Sequence, residues 1–388
     1  MEIQAKRINN YLKSISPQIR DTAFPLEKVK LPLLEGIQSD ITVFKNTSLE
    51  EITFLTKWFQ VLNLARGCRE QCTFCLRNAL APLKENSKQI SSILWDDLTR
   101  FTGGIAKLNE RLGFNILQGN SHITLFEDAN LPAVQIKDTE GTLHSVRDSV
   151  KEIYEKLGLP LVFVTAGWNP TDNQSQESAE ELCRYIMQNP DCVKEFGISV
   201  NPFHSYNREF YTTKMANTLK TFLPLYKNGT EIGSILLKYN YPNGIETDNN
   251  GYEAASNLYK EIFSKLKILT GSTLENYDIL KPENVTQHRE DNYIENKGRG
   301  QRFFPTESIE KNNKKLFVES FRWLTMTPQE KREKAYNFTT KNIDINGQIY
   351  LITPSEQLIE TSLRLNFINQ DKTTAPIHSD IKFKKFEF

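Results

Sequence analysis

The sequence predicts an α/β protein built as a partial (β/α)6 TIM-like barrel, flanked by an N-terminal arm and a small β-rich C-terminal extension. Two observations carry that expectation. From about residue 56 onward, short apolar runs alternate with longer amphipathic stretches, the pattern of βα units around a parallel sheet. The alternation repeats about six times, fewer than the eight units that close a full barrel.

The elements are expected in the following order. Residues 1–55, with Pro17, Pro25 and Pro32, read as an irregular or partly helical arm, and residues 56–300 carry the barrel. The first strand falls at 59–64 and a helix at 93–112. The second strand is expected at 122–127, followed by a helix at 145–157 with Val146, Val150, Ile153, Tyr154 and Leu157 on one face. Strand 161–165 with helix 177–187, strand 196–200 with helix 208–225, and strand 232–239 with helix 252–269 continue the series, and a weaker strand at 277–280 completes it. In residues 301–388 the period changes. Segments 338–352 and 362–367 are strand-like, with an Asn346-Gly347 turn signal.

The 48 Lys and Arg balance the 48 Asp and Glu, so no whole-chain field attracts nucleic acid or an anionic membrane. No run approaches the roughly 18 apolar residues of a membrane span, and the N-terminal sequence lacks the apolar core of a secretory signal, so a cytoplasmic protein is expected. Of the five cysteines, three stand within the stretch Cys68–Cys75, a placement that points to metal ligation in a reducing compartment.

The cysteines form the run Cys68-Arg69-Glu70-Gln71-Cys72-Thr73-Phe74-Cys75, directly after the first strand. Three soft thiolates suit iron–sulfur or zinc. A structural zinc site normally closes with four protein ligands, whereas three cysteines leave one iron of a cluster open to an exogenous molecule. His122 is a conceivable fourth ligand, although a histidine at a strand's start is more often packed or surface-exposed. Arg66, Arg69 and Arg77 surround the loop and either balance charge there or stand as ordinary solvated groups, the simpler expectation.

This loop, with its aromatic Phe74 before the third cysteine, resembles that of the radical SAM superfamily. The resemblance implies that Cys68, Cys72 and Cys75 hold a [4Fe–4S] cluster whose open iron is chelated by S-adenosylmethionine. Reductive cleavage then yields a 5′-deoxyadenosyl radical that abstracts hydrogen from a peptide or small-molecule substrate. An electron donor such as flavodoxin or ferredoxin is implied as a partner. The family's glycine-glycine-glutamate after the second strand is replaced by Phe126-Glu127-Asp128-Ala129-Asn130, where Asp128 or Asn130 would accept from the methionyl ammonium. Ser199 and Asn201, on one face at period two, match the family's ribose contacts, and Thr165 ends the third strand toward the same cavity. His204 and Tyr206 follow the fourth strand at a position that can face substrate. The segment 343–350 is similar to the hairpin opening the cysteine-rich extension of many peptide-modifying members, but no cysteine follows Cys192. Two alternatives stand beside this reading: a non-catalytic scaffold binding zinc or an iron–sulfur group, and a degenerate barrel that binds S-adenosylmethionine without cleaving it.

Overall fold

A computed structural model describes residues 41–44, 49–56, 59–68, 91–113, 115–117, 119–125, 130–132, 134–200, 207–226, 234–242, 249–271, 289–294, 330, 340–352 and 358–368. In chain order the elements begin with a 3-10 turn at Thr42–Phe44, α1 (Leu49–Thr56), β1 (Phe59–Leu62), β2 (Ala65–Arg66) and β3 (Ser91–Ser92). Next come α2 (Trp95–Leu112), β4 (Ile123–Leu125), β5 (Ile136–Lys137), β6 (Leu143–His144), α3 (Val146–Leu157), β7 (Leu161–Thr165) and α4 (Asn173–Gln188). The series continues with β8 (Val193–Val200), α5 (Arg208–Phe222), β9 (Ser234–Pro242), α6 (Asn249–Thr270) and β10 (Arg289–Ile294). It closes with β11 (Thr340–Ile343), β12 (Gln348–Ile352) and β13 (Leu358–Arg364).

The fold is mixed α/β around a parallel sheet. Strands β1, β4, β7, β8, β9 and β10 lie side by side in chain order, each parallel to the next. The helices keep the same order, α2 against α3, α3 against α4, α4 against α5 and α5 against α6. The expected strand at 277–280 lies outside the described residues, and among those described the sixth strand of this parallel series is Arg289–Ile294. Its sequence, Arg-Glu-Asp-Asn-Tyr-Ile, hides it from an apolar-run search, and a strand at the sheet's outer edge has no need of two apolar faces.

The C-terminal strands extend this same sheet. β11 runs parallel to β1 on the side away from β4, then β12 and β13 add antiparallel partners. β1 is therefore an interior strand, and the carboxyl ends of β1 and β11 lie next to each other. The backbone N–H of Asn63, just past β1, donates to the Ile343 carbonyl at 3.0 Å. The segment after β13 is also tied to earlier parts of the chain: Asn366 N–H donates to the Val43 carbonyl, and Ile368 N–H donates to the buried Asp97 carboxylate of α2.

Local sequence explains the helices. In α2, Leu98, Phe101, Ile105 and Leu108 recur at spacings of three and four and are all fully buried. Gly104 on the same helix admits the 41–44 segment, since a Cβ there would stand 2.6 Å from Val43 Cγ1. α3 opens with a capping box: Ser145 Oγ accepts from Asp148 N–H, and the Asp148 carboxylate accepts from Ser145 N–H at 3.0 Å. Burial of the Asp148 carboxyl opposes its charge, yet hydrogen bonds from Arg147 and Ser145 outweigh that and hold it below its ordinary value. A carboxyl lowered in the folded state contributes stability that is full above the ordinary value and fades as pH falls through the lowered one. Ser145→Ala is thus expected to cost about 1 kcal/mol. Asp148→Asn is expected to cost less stability in acid than at neutral pH, read from urea midpoints at several pH values.

Candidate functional site

In a parallel sheet the chemistry-bearing loops leave the carboxyl ends of the strands. Past β1 the chain runs through Asn63 and Leu64 into β2, then Gly67 and Cys68. β2 pairs antiparallel with β3, Ala65 opposite Ser92 and Arg66 opposite Ser91, and Ile93 N–H donates to the Leu64 carbonyl at 2.9 Å. The cysteine loop therefore leaves and rejoins the sheet through a two-stranded stem. Gly67 has φ 92°, a backbone turn that side chains disfavour, and it sets Cys68 at the top of that stem. Cys68 is half-buried and not in a disulfide. Phe74, Cys72, Cys75, Arg69 and Arg77 lie outside the described residues.

Arg66 departs from its expectation as a solvated charge. Only 7% of it is exposed, and its Nη2 donates to Asp344 Oδ2 at 3.0 Å. Asp344 follows β11, which the parallel pairing with β1 places at the same sheet edge. Its other oxygen, Oδ1, accepts from the backbone N–H groups of Asn346 at 2.8 Å and Gln348 at 3.0 Å. Burial raises the Asp344 carboxyl above its ordinary value, with Arg66 and the turn N–H groups working the other way.

Asn130 and Thr165 are brought together. The Asn130 amide donates to the Gly167 carbonyl, while its Oδ1 accepts from Ala166 N–H at 2.9 Å and lies 3.2 Å from Thr165 Oγ1. Thr165 Oγ1 donates to the Leu131 carbonyl at 2.7 Å and accepts from Gly167 N–H. Both side chains are buried, so the loop after β4 is tied to the turn after β7. Asp128 and Asn201 lie outside the described residues, as do His204 and Tyr206. Ser199 is half-buried on β8, and its carbonyl accepts from Tyr211 Oη at 3.4 Å.

Sequence reading passed over Lys214 on α5, which is 1% exposed. Its Cε would stand 3.3 Å from a Cβ on Gly167. The α5 N-terminus follows the carboxyl edge of β8, and Lys214 packs against the Gly167 turn that follows β7. No local signal marked it, because the surrounding Thr212, Thr213, Met215 and Ala216 give no amphipathic stripe. His122, by contrast, stands before β4 at the amino edge of the sheet, opposite the edge that carries Cys68. Its Nδ1 lies 2.7 Å from Ser121 Oγ and 3.2 Å from Lys194 Nζ, and burial, with Lys194, lowers its pKa.

Fold and site together define a class: an α/β protein whose in-order parallel sheet presents a cysteine on a two-stranded stem at its carboxyl edge. No protein-family model matches the chain, and no curated protein matches it. Among solved structures it is similar to HydG, a maturase of the [FeFe]-hydrogenase, at 11% identity and a TM-score of 0.31, over 72% of this chain and 58% of that one. The chain thus spans a little over half the length of that protein, and a likeness at this level says nothing of activity.

Among the described residues, no group of three or more His, Cys, Asp or Glu side chains is gathered to hold a metal ion, and two of the three motif cysteines fall outside them. The donor set of three thiols on one loop fits an iron–sulfur cluster with an open iron better than a closed zinc site. No helix among the described residues is long and apolar enough to cross a membrane.

Proposed function

We propose that this chain is a radical SAM enzyme with a partial-barrel core. The observation that supports it is the Cys68-x3-Cys72-x2-Cys75 run beginning at the carboxyl edge of the first of six in-order parallel strands. When bound, a [4Fe–4S] cluster and S-adenosylmethionine supply one-electron cleavage to methionine and a 5′-deoxyadenosyl radical, which takes hydrogen from a peptide or small-molecule substrate.

In this reading the chain's own residues bind and orient. Cys68, Cys72 and Cys75 would hold the cluster, with Phe74 in the same run of sequence, and a flavodoxin or ferredoxin would deliver the electron. Ser199 and Asn201 would meet the ribose hydroxyls, while Thr165, whose buried hydroxyl donates to the Leu131 carbonyl and accepts from Gly167 N–H, holds the neighbouring loops together. The methionyl ammonium, partly desolvated, requires acceptors. Asn130 already accepts from Ala166 N–H and donates to the Gly167 carbonyl, so the ammonium falls to Asp128 and Asn130 serves to hold the two loops in register.

A contrast between these two residues follows. Asp128→Ala is expected to weaken S-adenosylmethionine binding by about 1.5–3 kcal/mol, the range of a charge-assisted hydrogen bond, with iron content intact. Asn130→Ala is expected to lower the unfolding midpoint, because it strands two backbone groups. Isothermal titration alongside chemical denaturation separates the two.

The function itself is tested by anaerobic reconstitution, reduction and product analysis. A brown protein that forms 5′-deoxyadenosine and methionine is the expected result. Colourless, zinc-loaded protein would replace the reading with the scaffold alternative. A brown protein that binds S-adenosylmethionine but never yields 5′-deoxyadenosine would replace it with the non-cleaving one.

A further inference from the structure

We infer that Asp344 is a positioning residue for the cysteine loop, acting through Arg66 so that the C-terminal hairpin fixes the stem from which Cys68 projects. The inference rests on the proposed cluster-binding role of that loop for its purpose, though not for its geometry.

The stem is weak by itself. β2 and β3 are two residues each, far shorter than a ribbon that holds its own orientation in water. What anchors it is Arg66, the last residue of β2 and two before Cys68, whose guanidinium is drawn to a carboxylate 278 residues away. Asp344 is 2% exposed, so the pair sits out of water. A desolvated ion pair adds little net stability over an apolar pair of the same size, but its geometry is exacting. An oriented guanidinium fixes the backbone that carries it.

The carboxylate is itself held by the tail. Its Oδ1 accepts from Asn346 and Gln348 N–H within the β11–β12 turn, and Gly347 N–H donates to the Asp344 carbonyl at 3.0 Å. That turn cannot relax freely. Gly347 has φ +75°, and a Cβ there would press on Phe367 Cγ at 2.9 Å and the Leu365 carbonyl oxygen at 3.0 Å, while Leu365 N–H donates to the Gly347 carbonyl. A continuous set of contacts therefore runs from the segment after β13, through the turn, to Asp344 and to Arg66, the residue before Gly67. Without the tail, only the two-residue ribbon and the Ile93 hydrogen bond to Leu64 would aim the first thiol.

The experiment uses the full-length chain and two independent readouts. Before any cluster is loaded, iodoacetamide alkylation is followed cysteine by cysteine by mass spectrometry in wild type, Asp344→Asn, Asp344→Ala and Asp344→Glu. Cys183 and Cys192 are internal controls for global opening, since both are buried with thiols pushed up to about 12 by that burial. Cys68 is expected to react about tenfold faster in Asp344→Asn, the size of a local loosening, under conditions where the variant is still folded, with Cys183 and Cys192 remaining far slower than Cys68 and Asp344→Glu restoring part of the protection. An unchanged Cys68 rate, or a Cys68 in the variant that reacts no faster than Cys183 and Cys192, would overturn the inference. After reconstitution, the electron paramagnetic resonance signal of the reduced cluster is expected to shift in Asp344→Asn, and an identical signal would also overturn it. If the wild type takes up no cluster, the proposed function fails while the alkylation result still decides whether Asp344 governs the loop.

Discussion

Replacing Cys68, Cys72 or Cys75 singly with Ala is expected to abolish cluster assembly and 5′-deoxyadenosine formation, the largest functional losses predicted for this chain. Each thiolate ligates a different iron in the proposed site, so removing one leaves two irons under-coordinated toward solvent. Iron content is expected to fall from about four per chain to under about one. Cys183→Ala and Cys192→Ala supply the contrast. Cys183 packs on α4 beside Leu182 and Ile186, Cys192 lies in the 3-10 turn before β8, and both are enclosed by the core. Burial pushes each thiol up to about 12, so neither is a thiolate at neutral pH. Full iron and sulfide in Cys72→Ala would remove the basis for the proposed function.

The parallel strands were legible because interior strands of a sheet covered on both faces read as apolar runs. Leu161-Val162-Phe163-Val164-Thr165 is such a run, and the structure places β7 on those same residues. Helix limits were legible where a cap spoke, as at Ser145 and at Gly158, whose φ of 67° ends α3. Pairing across long sequence distance left no local trace. Asn346-Gly347 announced a turn, but nothing in residues 340–343 announced that β11 would lie against β1, nor that Asp344 would meet Arg66. An arginine beside a metal loop reads as solvated until its partner is known. Asn130 and Thr165 show a different limit. A polar side chain on a loop at the carboxyl edge serves equally to bind a ligand or to bind the next loop, and composition does not separate the two. Here each bonds to backbone of the neighbouring loop, Asn130 to Ala166 and Gly167 and Thr165 to Leu131.

Breaking the Arg66–Asp344 pair from one side is expected to produce the largest stability loss of any single polar substitution in the described core. The two groups are 7% and 2% exposed, so deleting either partner leaves the other charge buried and uncompensated. Arg66→Met strands the carboxylate, and Asp344→Asn strands the guanidinium while keeping an oxygen for the Asn346 and Gln348 N–H groups. Each is expected to cost about 3–5 kcal/mol by urea midpoint at constant slope. The double variant Arg66→Met/Asp344→Asn removes both charges, retains the turn's acceptor and fills the arginine's volume with an apolar chain. It is expected to be more stable than either single variant, so that the cycle shows a coupling of at least about 2 kcal/mol, within the range of residues in direct contact. Costs that add to within about 0.5 kcal/mol would mean that each group is stabilised by its own surroundings rather than by the other. In that case Arg66 would carry no information from the C-terminal hairpin to the cysteine loop, and the stem would have to take its orientation from the β2–β3 ribbon and the Ile93 hydrogen bond to Leu64 alone.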